Sequence, residues 1–155
     1  MKYLKLFEAF NPYDDEPLSR AEQHFGKQTR LEKQFSEIIQ LIKQAQSKAI
    51  KAANTELIAL YWQIGEYISK RIETEEWGKS VVQKLASHIS QKEPALKGFS
   101  DKNLWRMKQL FEAYKSYPKL SAMLREISWT NNLTILSGAK TIEEKEFYLR
   151  LCIQE

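Results

Sequence analysis

Residues 31–64 read LEKQFSEIIQLIKQAQSKAIKAANTELIALYWQI, and this stretch decides the fold. Leu31, Phe35, Ile38, Leu41/Ile42, Ala45, Ala49 and Ala52/Ala53 follow one another at steps of three and four. Leu57, Leu60/Tyr61, Ile64, Ile68 and Ile72 carry the pattern on. That spacing stacks apolar side chains on one face of a helix with a 3.6-residue period. Neither Pro nor Gly falls between Leu31 and Ile64. The stripe therefore predicts one very long helix or two nearly collinear ones. Asn54-Thr55 is the natural place for a kink, because both side chains can compete for local backbone hydrogen bonds. A stripe of this length exceeds what one small domain can bury. Two arrangements would cover it: a homodimer through the Leu31–Ile72 region, or a hairpin packed within the monomer.

Working outward towards the C-terminus, the helical signal continues in shorter pieces. Trp77-Gly78 turns the chain. Val81/Val82, Leu85, Ala86 and Ile89 then form the inner face of a helix from Lys79 to about Ser90. Pro94, Gly98 and Ser100 mark a loop. Ser100 is a good N-cap for a helix from Asp101 to about Tyr117, with Leu104, Met107, Leu110/Phe111 and Tyr114 inside. Pro118 ends it. Met123–Ile127 is the one candidate for a short extended segment. Ser128 caps a helix over Trp129–Leu136. Thr141, with Glu144 three residues on, caps the last helix in a capping box. Ile142, Phe147, Leu149 and Ile153 ride on that helix. The expected fold class is all-α, a long helix or near-collinear pair followed by a helix-turn-helix-like bundle.

Towards the N-terminus, residues 1–28 read as a loosely attached arm and 29–155 as the helical domain. Asn11-Pro12-Tyr13-Asp14-Asp15-Glu16-Pro17 is a breaker cluster, with a short helix expected at Lys2–Phe10 before it. Composition agrees with an α-helical class: only 5 Gly and 4 Pro in 155 residues argue against a sandwich or barrel with many tight turns. The single cysteine, Cys152, excludes an intrachain disulfide framework and fits a reducing, cytoplasmic compartment. No apolar run approaches the roughly 20 residues of a membrane span.

The net charge of +4 is unevenly placed. Residues 1–75 are neutral overall and 126–155 carry −2, whereas residues 76–125 hold 10 basic against 4 acidic side chains, net +6. A local basic excess attracts polyanions by counterion release. It falls on two helices joined by a loop, Gln91–Phe99, that is longer than the turn of the usual helix-turn-helix. With Leu104, Met107, Phe111 and Tyr114 inside, the side chains of Lys102, Asn103, Arg106 and Gln109 project outward. A recognition helix capped by Ser100 would present this set to a major groove, with Arg106 on a guanine edge and Asn103 or Gln109 on adenine. Lys79, Lys97 and Lys119 flank it and could contact phosphates. The expected partners are thus duplex DNA and a second copy of the chain. The competing reading is a protein-interaction scaffold whose basic face is simply solvated.

Catalytic signals are weak by comparison. His24 and His88 have no partners at metal-ligand spacing, Cys152 has no His partner, and no Gly-rich phosphate loop occurs. Glu143-Glu144-Lys145 spells the E-x-K of metal-dependent nucleases, but it falls in the first turn of a helix, where acidic residues belong anyway. No catalytic residue, metal or cofactor is expected in this chain. Trp62 and Trp129 lie on apolar stripes and read as core, and Trp77 as a wedge at a corner. Trp105, at the edge of its stripe, is the one indole that could face a partner.

Asn54-x-Glu56-Leu57-Ile58-x-Leu60-Tyr61-Trp62-x-Ile64-Gly65-x-x-Ile68 is followed by Trp77-Gly78-x-x-Val81-Val82-x-x-Leu85. Next come Gly98-Phe99-Ser100-x-x-Asn103-Leu104-x-x-Met107, Ile127-Ser128-Trp129 and Glu146-Phe147-Tyr148-Leu149. In order and spacing these motifs resemble the N-terminal domain of the YhcG family (DUF1016), over about residues 35–155. The resemblance implies a bacterial protein, a helix-turn-helix that binds DNA, and a PD-(D/E)xK nuclease domain following this one. The catalytic Asp, Glu and Lys of that second domain have no counterparts here. The family often has His two residues after the Ser-Trp pair, where this chain has Asn131.

Overall fold

The stripe lies in a single α-helix, α1 (Asp15–Thr74), of 60 residues. The structure, a computed structural model, describes the backbone of residues 15–155 and the side chains of residues 26–155. The helix expected at Lys2–Phe10 lies outside the described residues. Asp15 to Pro17 of the expected breaker cluster are already helical. Pro17 sits in the first turn, where an N–H would have no helical acceptor, so its missing donor costs nothing. Five more helices follow: α2 (Lys79–Lys92), α3 (Asp101–Tyr114), α4 (Pro118–Met123), α5 (Trp129–Gly138) and α6 (Ile142–Gln154). The described residues contain no strand.

The chain divides into two units, Met1–Lys48 and Ala49–Glu155. In the first, Leu31, Phe35, Ile38, Ile39, Leu41 and Ile42 are all between 49% and 61% exposed.

The second unit holds the core. One cluster gathers Ile58 of α1 with Leu110 and Tyr114 of α3, Leu120 of α4, Ile135 of α5 and Leu149 of α6. The other gathers Tyr61 and Ile68 of α1 with Val82 of α2 and Leu104 and Met107 of α3. All of the expected inner stripe of α3 is buried. From Ile58 onward, then, the apolar stripe of α1 is largely covered by its own chain. Gly65 permits a close approach of α1 to α3: a Cβ there would land on the backbone carbonyl of Met107. Beside it, the buried Ser69 hydroxyl donates to Glu112 Oε1 at 3.0 Å, which keeps a core polar group satisfied.

Four local expectations are corrected. Helix α1 runs through Asn54-Thr55 without a break. The Asn54 amide does not disturb its own helix but donates to the carbonyls of Arg125 (3.2 Å) and Ile127 (2.9 Å). Met123–Ile127 is not a strand: α4 and a 3-10 turn (Leu124–Glu126) fill the region, and only Ile127 is extended. Pro118 ends α3 by opening α4, because its fixed φ suits the first helical position. Tyr117 before it leaves the helical region, so α3 stops at Tyr114. Lastly, Phe147 is 61% exposed, and Leu149 alone of the α6 stripe is fully buried.

Candidate nucleic-acid interface

The site is built around the start of α3. Ser100 is its N-cap as expected, with Oγ accepting from the Asn103 N–H at 3.2 Å. The loop before it is fixed by Gly98, whose φ of 94° is a left-handed value that a side chain would strain. A Cβ at Gly98 would also meet the Tyr61 hydroxyl. Asn103 then closes a bracket. Its Nδ2 donates to the Gly98 carbonyl at 2.5 Å, and its Oδ1 accepts from the Trp129 indole N–H at 2.9 Å. The Trp129 ring stands edge-on to Tyr61, 4.8 Å between centroids. Burial pushes the Tyr61 phenol above its ordinary ionisation range. One amide therefore ties the loop, α3 and α5 together. Both of its ends are used, so in this conformation Asn103 is not free for the adenine contact expected of it. The hydroxyl of Ser100 is likewise engaged in the cap.

Lys79, at the first position of α2, faces Lys102, Arg106 and Gln109 of α3 across a groove of about 320 Å³. Trp105 forms part of its floor, half-buried, with the Lys108 ammonium 4.5 Å from the ring centroid. That is cation–π range. Asp101 is the one carboxylate on the groove. Arg106 and Gln109 also border a second depression of about 670 Å³, whose far side is α5. Of the eight expected contact residues, four (Lys79, Lys102, Arg106 and Gln109) thus line one groove. Lys97, in the loop, and Lys119, on α4, are exposed but line neither depression.

Ion pairs are few on the described surface, and the groove cations take part in none of them. Lys70, Arg71, Lys108, Lys115 and Arg150 each have a carboxylate partner. Among the described residues, no such partner is within ion-pair distance of Lys79, Lys102 or Arg106. No group of three or more His, Cys, Asp or Glu side chains among the described residues is placed to hold a metal ion. Two members of the Glu143-Glu144-Lys145 triplet are engaged at the start of α6: Glu144 accepts from the Lys140 N–H at 2.7 Å, and Lys145 donates to the Ala139 carbonyl at 2.6 Å. No described helix is long and apolar enough to cross a membrane.

Fold and site define an all-α module with a cationic groove along the outer face of α3. The sequence signatures meet in its core: Tyr61 and Gly65, Gly98 and Asn103, Met107 and Trp129 all take part in the bracket or in the α1–α3 contact. The chain belongs to the DUF1016 family, matching the DUF1016 N-terminal domain over residues 37–155. No curated protein and no solved structure shows significant similarity to it. The second depression, with α5 on its far side, and the bracketing role of Asn103 escape a sequence reading. Ser128 capping Trp129 was legible, but which α3 side chain the indole would reach was not.

Proposed function

We propose that this chain is the DNA-binding, self-associating module of a YhcG-like nuclease, with the cutting chemistry supplied by a separate nuclease domain. The observation that carries this reading is the groove itself. Three cations without carboxylate partners and the Gln109 amide share one channel, where only Asp101 opposes them. Cations left unpaired in the free protein keep their full attraction for phosphates, since no internal ion pair has to be broken first. Arg106 is the centre of the site and Gln109 its amide reader, while Asn103 acts as the support beneath them. Titration of labelled duplexes at low salt tests the reading. Arg106→Ala is expected to weaken a preferred site by about 1–3 kcal/mol, whereas Lys97→Ala weakens all duplexes alike and flattens the salt slope. Absence of duplex binding by the wild-type chain sinks it.

Self-association is favoured by a separate observation, the six large apolar side chains at Leu31–Ile42 that stay about half exposed. Isolated apolar side chains on a surface are ordinary, but a contiguous helical row is not. Leu31, Phe35, Ile38 and Ile42 keep the strict four-three-four spacing of a coiled-coil seam, which a second copy of the same helix complements directly. Light scattering is expected to give a dimer that Ile38→Glu converts to monomer. A wild-type monomer at high micromolar concentration overturns this part. A dimer with no affinity for DNA favours the scaffold reading instead.

A further inference from the structure

Arg106 and Gln109 border both depressions. They therefore form a crest, with α2 across one depression and α5 across the other. From this we infer that α5 is a second phosphate-binding flank, holding the DNA strand opposite the one met by Lys79. The inference rests on the DNA-binding reading above. An α-helix with its side chains is about 10–12 Å across, and the major groove of B-DNA is about 12 Å wide. A crest of that width entering the groove leaves one sugar-phosphate backbone on each side, over one depression each. A single strand would engage only one flank.

The two flanks differ in chemistry. On the α2 side the charged donors are the ammonium groups of Lys79, on α2, and Lys102, on α3, beside the neutral amide of Gln83. On the α5 side they are the hydroxyls of Thr130, Thr134 and Ser137, spaced four and three residues apart and so on one face of the helix. In the free protein the Thr134 hydroxyl donates to the Thr130 carbonyl and that of Ser137 to the Leu133 carbonyl, each at 2.9 Å. Such back-bonds add to carbonyls that already serve the helix ladder, so they are weakly held. Each hydroxyl can rotate to donate to a phosphate oxygen, a common use of Ser and Thr at DNA backbones. Neutral donors displace no counterions, whereas each lysine that neutralises a phosphate does.

This asymmetry supplies the test. The variant Thr130→Val/Thr134→Val/Ser137→Ala changes exposed side chains to near-isosteres, and circular dichroism with thermal melting checks that it folds. In a salt series with a labelled duplex, it is expected to bind about tenfold more weakly, irrespective of sequence, with the wild-type salt slope. Lys79→Ala is expected to lower the slope by about 0.9. The single strand of the same sequence is expected to bind more weakly than the duplex and to be indifferent to the triple change. Wild-type duplex affinity in the folded triple variant overturns the inference, as does an equal loss on single strands. In either case an effect of Arg106→Ala leaves DNA binding itself intact. Binding of neither nucleic acid by the wild-type chain removes both conclusions.

Discussion

Two stretches of α1 obey the same rule of spacing and meet opposite fates. Residues 31–42 carry apolar side chains that are all at least 49% exposed, while Ile58, Tyr61 and Ile68 are between 0% and 5% exposed. Helical periodicity is common to both, so periodicity alone does not decide burial. The later stretch is distinguished by small and polar residues at chosen points. Gly65 admits the α3 backbone, Ser69 reaches Glu112, and Asn54 satisfies two carbonyls near the 3-10 turn. The earlier stretch has a seam of bulky side chains and none of these fittings. A face prepared for its own chain carries notches and hydrogen-bonding groups matched to particular neighbours. A face of repeated bulky residues suits any helix with the same repeat, a second copy included.

The same substitution, made once in the later stretch and once a turn before the earlier one, breaks or sharpens this contrast. Gly65→Ala forces a methyl group onto the Met107 carbonyl, which belongs to backbone and cannot swing aside. Chemical denaturation is expected to show a loss of about 3 kcal/mol, at the upper end for overpacking and despite the better helix propensity of Ala. Gly26→Ala has nothing within 4 Å of the new Cβ. There only the propensity term remains, and a gain in helicity worth up to about 1 kcal/mol is expected by circular dichroism on melting. Equal responses at the two sites would refute the division of α1 into a fitted and an unfitted stretch.

A smaller effect probes the core onto which the later stretch packs. The Tyr114 hydroxyl is buried with no hydrogen-bond partner, and burial raises its ionisation from 10.0 to about 12. Below pH 10 the phenol is neutral in both folded and unfolded chains, and its contribution to stability is fully present. Between pH 10 and 12 the unfolded chain ionises first, so stability falls as pH rises. Tyr114→Phe is expected to remove that part of the alkaline decline, with Tyr61 still contributing in the same direction. At neutral pH it is expected to leave stability unchanged or slightly higher, because it deletes an unpaired buried polar atom. A clear loss at neutral pH in denaturant titration would show instead that the hydroxyl is satisfied.

The residues divide sharply in how much of this was legible. Ser100, Ser128 and Thr141 each cap a helix by accepting an N–H three residues on, and the sequence alone places all three. The inner stripe of α3 and the all-α class follow from spacing in the same way, and the family motifs from order and distance along the chain. These are local properties, settled within a turn or two of helix. What only the tertiary structure decided lies between distant segments: which part of α1 its own chain covers, the capture of the Asn103 amide by Gly98 and Trp129, and the α5 hydroxyls across from Arg106. Pro118 shows the boundary, since its local rule ends one helix and permits another, but burial of Leu120 beneath α6 depends on a helix some twenty residues away. An outward-pointing Asn and a bracketing Asn occupy the same position on a helical wheel. Only the arrival of an indole from another helix tells them apart.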